Sequence, residues 1–206
     1  MERFEAWCRA IFAAPVKKES SALDPGPWRT MPSAEAVDFM TRAFSSPRTV
    51  WRGFDEASIA QGLRLVIDPD LGWAERLLED ELPWPARKRA IDSIVTLFRE
   101  QFGGAPSLPP PLASICYMFW DVFPTWGDPN DPDVAEVDRA LLGCMESILR
   151  IDSAACQDSA LHGLNHWQTA YPEAVMAIID AYLARHPKLD PELRQHAEWA
   201  KRGAMQ

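Results

Sequence analysis

An all-α fold is predicted by three features of this 206-residue chain. Apolar residues recur at three- and four-residue spacing along nearly its whole length. No stretch alternates with a period of two and ends in a hairpin turn. The breaks in the pattern fall where prolines, glycines and helix-capping residues gather.

Phe4, Trp7, Cys8, Ile11 and Phe12 form the first apolar stripe, which ends before Pro15. Pro15, Pro25, Pro27 and Pro32, with Gly26, make residues 15–32 a long loop. Ser33 is placed to cap a helix carrying Val37, Met40, Ala43 and Phe44. Asp55 can cap the next, with Ile59, Leu63, Val66 and Ile67, which closes at Asp68 and Pro69. A short helix is expected around Leu71–Glu81. Pro85 suits a first helical position, ahead of Ile91, Ile94, Val95, Phe98 and Phe102 and the stop at Gly103 and Gly104.

Pro109, Pro110 and Pro111 form a stiff spacer. Leu112 to Phe123 follows, apolar all round, and reads as one central buried helix. Asp131 and Pro132 are expected to start a helix with Val134, Val137, Leu141, Met145 and Ile148 on one face. Asp152 or Ser153 starts the next, with Ala160, Leu164, Trp167 and Tyr171 inside. Val175, Ile178, Ile179, Tyr182 and Leu183 carry another, and Asp190 with Pro191 opens a last one containing Leu193, Ala197 and Trp199. The short connections force neighbouring helices to be antiparallel. The expectation is a single domain over residues 1–206 with about eight to nine helices. Its first half, 1–110, is irregular, and the pairs in 112–204 are more regular.

The formal net charge is −9, and it is uneven. Residues 1–60 hold 8 acids and 8 bases, residues 111–206 hold 14 and 7. An acidic second half repels phosphate, which argues against nucleic acid or an anionic membrane as partner. The basic run Arg87, Lys88, Arg89 reads as a solvated helix face. The four cysteines (Cys8, Cys116, Cys144, Cys156) have neither a CxxC pair nor zinc-type spacing and read as small core residues. The N-terminus has acids where a signal peptide needs bases. The most apolar run, Ile115 to Phe123, is too short to span a bilayer. A reducing cytoplasm is the expected setting.

The segment from Ala155 to Trp167, followed by Ala174 to Leu183, resembles one HEAT-type helix pair, and residues 131–204 carry most of that likeness. The resemblance to HEAT and armadillo helical-repeat proteins, such as those of bacteria, implies an irregular α-α superhelix. It also implies a scaffold or protein-binding surface. A protein partner, basic enough to meet the acidic helices, is therefore the first functional expectation. Glu146, Asp158 and Trp167 on the last four helices are its candidate contacts. Trp51, Trp84, Trp120 and Trp126 could line a groove, although a tryptophan more often fills a core. Trp126, beside Pro124, Gly127 and Asp128, sits in a loop and is the one expected to be exposed.

The alternative is a small-molecule or metal-dependent enzyme. His162 and His166 stand four apart on one helix, with Asp158 a turn earlier. Taking Leu161 as zero, the two histidines fall at about 100° and about 140°, away from the stripe of Leu164 and Trp167. Asp158 and His166 are roughly 12 Å apart along the axis, so the three cannot share an ion without help from another helix. The pair lacks the glutamate of the metalloprotease motif and shows no third ligand nearby, so the sequence predicts no metal and no cofactor. Asp121 is the other candidate: a lone acid in an apolar helix must find a partner, ordinarily an arginine, or else serve as a general acid or base at the bottom of a cleft. Phosphate-binding, dinucleotide and nucleophile-elbow motifs are absent, which weighs against an enzyme.

Overall fold

Three helix starts are fixed by the side chains that precede them. Asp55 Oδ1 accepts the Ser58 amide at 2.8 Å, Ser153 Oγ accepts that of Cys156, and Asp190 Oδ1 accepts that of Glu192 at 2.9 Å. The computed structural model describes residues 2–13, 26–69, 73–79, 81–104 and 107–205. Most of the expected 15–32 loop, like part of the 71–81 segment, lies outside the described residues. Among those described there are helices and no strands.

Among the described residues eleven α-helices follow in order: α1 (Glu2–Phe12), α2 (Ser33–Ser45), α3 (Pro47–Val50), α4 (Glu56–Ile67), α5 (Trp84–Leu97), α6 (Pro110–Tyr117), α7 (Phe119–Val122), α8 (Ala135–Ile148), α9 (Ala154–Trp167), α10 (Pro172–Arg185) and α11 (Pro191–Ala200). The count exceeds the expected eight or nine because α3 and α7 are single turns. They pack in two rows. One runs α1, α4, α6 with α7, α9, α11, and the other α2, α5, α8, α10. Connections through α8, α9, α10 and α11 join the rows. One continuous core of side chains, from Phe4 to Met205, fills the space between them. Among the described residues, no helix is long and apolar enough to cross a membrane.

Several boundaries differ from the expectation, each for a local reason. Ser33 is the first residue of α2 rather than its cap. Pro32 holds the cap position with φ −58°, and the Ser33 hydroxyl accepts instead from Arg76 at 3.3 Å. The helix expected at Pro132 starts at Ala135, because Asp131 Oδ1 takes the Asp133 amide at 2.9 Å and closes an Asx turn. Around Ala74–Leu77 there is one 3-10 turn in place of an α-helix. Beyond α5 the chain widens into a π turn over Phe98–Phe102, closed by Gly103 N donating to Phe98 O at 2.7 Å.

The segment expected as one helix from Leu112 to Phe123 is broken at Met118, where ψ is 2°. Tyr117 is half-buried and Met118 exposed, so the segment is not buried on all sides. After the break, Phe119, Trp120 and Phe123 all turn into the core. What lets α7 settle there is Gly163 on α9. A Cβ at that position would stand 2.7 Å from Trp120 Cγ and 2.8 Å from Met145 Sδ.

Alanine is a better helix former than glycine by about 1 kcal/mol. At residue 163 overpacking outweighs that gain, because Trp120 is 1 % exposed and has nowhere to move. Gly163→Ala is expected to lower stability by about 1–3 kcal/mol in chemical denaturation. A variant as stable as the parent would contradict this packing account.

Candidate metal centre on α9

On α9, Leu161 and Leu164 point into the core, and the sector opposite them carries the two histidines. That sector is not open to solvent. Helix α7 lies across it, so His162 is only 6 % exposed and His166 is half-buried. Docking α7 through Trp120 at Gly163 puts the next residue, Asp121, directly over the pair.

The partner of Asp121 is therefore not the expected arginine. Its Oδ1 lies 2.9 Å from His162 Nε2 and 2.7 Å from His166 Nε2. The two Nε2 atoms are themselves 3.1 Å apart. Asp121 Oδ2 is buried and has no hydrogen-bond partner among the described residues. The sequence spacing offered Asp158 as the third member of the cluster, and the fold supplies Asp121 from another helix.

While Asp121 is ionised, protons alone leave one edge of this triangle unsatisfied. With Asp121 ionised, each Nε2 carries at most one hydrogen. If both do, both donate to Oδ1 and the nitrogens face each other donor to donor. If one does, the other nitrogen presents a lone pair to a carboxylate oxygen. A cation equidistant from the three atoms accepts a lone pair from each. Neighbouring ligands on one face of a six-coordinate ion with bonds near 2.1 Å stand about 3.0 Å apart, and about 3.4 Å apart around a tetrahedral one. The 3.1 Å nitrogen–nitrogen edge falls in that range, and the 2.9 and 2.7 Å edges to Oδ1 are shorter.

Two aromatic rings wall the centre. Tyr117 packs on His162 with centroids 4.5 Å apart, and Trp126 stacks on His166 at 5.2 Å and 13°. Burial raises the Tyr117 phenol above its ordinary range, and the charges of Asp158 and Asp121 add to that, so it stays protonated. The Trp126 indole donates to Trp120 O at 3.2 Å, yet the side chain is 52 % exposed, as its loop setting predicts.

The remaining sequence candidates are scattered. Asp158 pairs with His196 Nδ1 on α11 at 2.6 Å, outside the triangle. Glu146 is taken by Arg150, in the turn just after α8. Trp167 is fully buried and cannot be a surface contact. Trp51 and Trp120 are core residues and Trp84 is half-buried, so the four tryptophans line no common groove. Cys8, Cys116, Cys144 and Cys156 are all free and buried.

No family model, curated protein or solved structure matches this chain. The reading of the site rests on its geometry.

From the sequence, Tyr117, His196, Asp138 and Tyr171 carried no functional role. Asp138 on α8 is fully buried and its Oδ2 accepts the Tyr171 hydroxyl at 2.7 Å and the Asp128 amide at 2.9 Å. Its one sequence signal is an acid next to Val137 on the buried stripe. Burial first, and the hydrogen bond to Asp138 second, push the Tyr171 phenol up to about 12. The fold favours its protonated form. That contribution is fully present below the unfolded phenol value of about 10 and is lost as pH rises towards 12. Denaturation of the parent and of Tyr171→Phe across this window checks the sign: the gap between them should shrink on the alkaline side. A gap that widened would contradict it.

Proposed function

We propose that this chain is a metal-dependent protein in which Asp121, His162 and His166 hold one divalent transition ion. The observation that carries the reading is the triangle of Oδ1 and two Nε2 atoms with edges of 2.7, 2.9 and 3.1 Å. Two imidazoles and one carboxylate suit zinc or iron better than calcium or magnesium, which prefer oxygen alone. Three protein ligands leave coordination positions free, which is the pattern of catalytic rather than structural zinc. With one carboxylate against a doubly charged ion, the centre keeps a net positive charge. It would then polarise an oxygen ligand or lower the pKa of a bound water.

A second reading, a protein-binding module on a HEAT-like superhelix, draws on a different observation. The two-row packing of α8 to α11 is the arrangement such repeats would give, and Met118 and Trp126 are exposed large apolar residues on the segment that follows α6. Binding of a basic partner through the acidic helices would weaken steeply with salt. Salt-insensitive capture would remove the electrostatic part of that reading.

Calorimetric titration with zinc, and cobalt titration followed in the visible, test the first reading. One equivalent should bind, with affinity falling on acidification because protons compete for the ring nitrogens. Asp121→Ala, His162→Ala and His166→Ala should each lower affinity by at least about 100-fold, while His196→Ala should not. No saturable binding to the folded parent would refute the proposal.

A further inference from the structure

We propose that Asp138 is a positioning residue for the metal centre, acting through the loop that holds Trp126 over His166. The inference rests on the metal reading for its consequence, but its structural part stands in the metal-free protein.

The loop Phe123 to Val134 leaves α7, passes over the centre and returns to α8. It is pinned at two points. Trp126 Nε1 donates to Trp120 O, next to Asp121, and Asp128 N donates to Asp138 Oδ2. Between them Gly127 has φ +85°, a left-handed conformation open to glycine. It also lies so close to the core that a Cβ would stand 2.7 Å from the Tyr171 ring and 2.9 Å from that of Trp167. The three consecutive residues Trp126, Gly127 and Asp128 are thus fixed by a ring, a backbone fit and a buried carboxylate. Tyr171 contributes twice, as the floor under Gly127 and as a donor to the same Oδ2.

A fully buried acid needs a reason to be there. Two hydrogen bonds satisfy Oδ2, whereas Oδ1 has no partner among the described residues. An apolar residue would fill the space at lower cost. What the carboxylate supplies, and a methyl group would not, is an acceptor for the Asp128 amide. That bond sets where the indole two residues earlier can lie. With the indole stacked on His166, one side of the ligand ring is shielded from water and from competing ligands. Half of the Trp126 side chain still meets solvent. The cover is therefore a surface element held from below, and releasing it opens the centre without dismantling the core.

Two readouts test this, one of which needs no metal. The Trp126 indole N–H is identified in a nitrogen-correlated NMR spectrum by its loss in Trp126→Phe. In the metal-free parent its exchange with solvent should be slow. In Asp138→Ala it should quicken at least about tenfold, and Asp138→Asn, which keeps an acceptor oxygen, should restore most of the protection. If the alanine variant fails to fold, Asp138→Leu refills the space and removes the acceptor.

The second readout is zinc release into excess chelator. Asp138→Ala and Trp126→Ala should each release zinc at least about tenfold faster than the parent. The double variant should be no faster than the quicker single one, because both act through the same cover. Unchanged indole exchange in folded Asp138→Ala or Asp138→Leu would overturn the positioning role. Unchanged zinc release in Trp126→Ala would overturn the cover itself. A parent that binds no zinc, with indole exchange as expected, would confine the failure to the metal reading.

Discussion

The contact between α7 and α9 at Gly163 is the constraint from which the candidate centre follows. One missing side chain on α9 admits the Trp120 indole, and the indole brings a one-turn helix against a face that already carries two imidazoles. Asp121 then has its position dictated by the peptide bond that joins it to Trp120. Gly163 also lies between His162 and His166 in sequence, so the residue that grants the approach and those that use it share one turn of helix. The break at Met118 belongs to the same arrangement, since it frees α7 to follow α9 instead of continuing α6.

Around this contact the polar groups divide into two sets with different duties. Asp121, His162 and His166 converge on a point, with Oδ1 and the two Nε2 atoms facing one another. Asp138, Tyr171 and the Asp128 amide point at one another and close a small network whose product is the placement of a loop. Trp126 belongs to both, through its ring on His166 and its place two residues before Asp128. The third acid and histidine pair, Asp158 with His196, ties α9 to α11 outside the triangle. Such segregation lets the centre sit at the edge of an apolar core without exposing that core.

Much of the fold was legible because helix periodicity is a local signal. The stripes on α1, α4 and α8 to α11 and the caps at Asp55, Ser153 and Asp190 could all be read from residues within a turn or two. The failures came where a distant contact overrode the local pattern. Leu112 to Phe123 looks uniformly apolar, and nothing in it announces the break that Gly163 makes profitable. Asp131 and Pro132 look like a helix start, but the Asx turn claims the aspartate. The centre was half legible: His162 with His166 stood out by spacing, and Asp121 by its apolar company. Their meeting across 41 residues is a fact of packing, and no spacing rule encodes it. The two puzzles, an acid without a partner and a polar face without a purpose, were each other's answer.

The most direct measurement is anomalous diffraction at the zinc absorption edge from crystals of the protein grown with one equivalent of zinc. The account predicts a single strong peak within about 2.0–2.2 Å of Asp121 Oδ1 and of both Nε2 atoms, with α7 seated on Gly163. A triad with no peak, its carboxylate and imidazoles joined only by hydrogen bonds or turned apart, would contradict it.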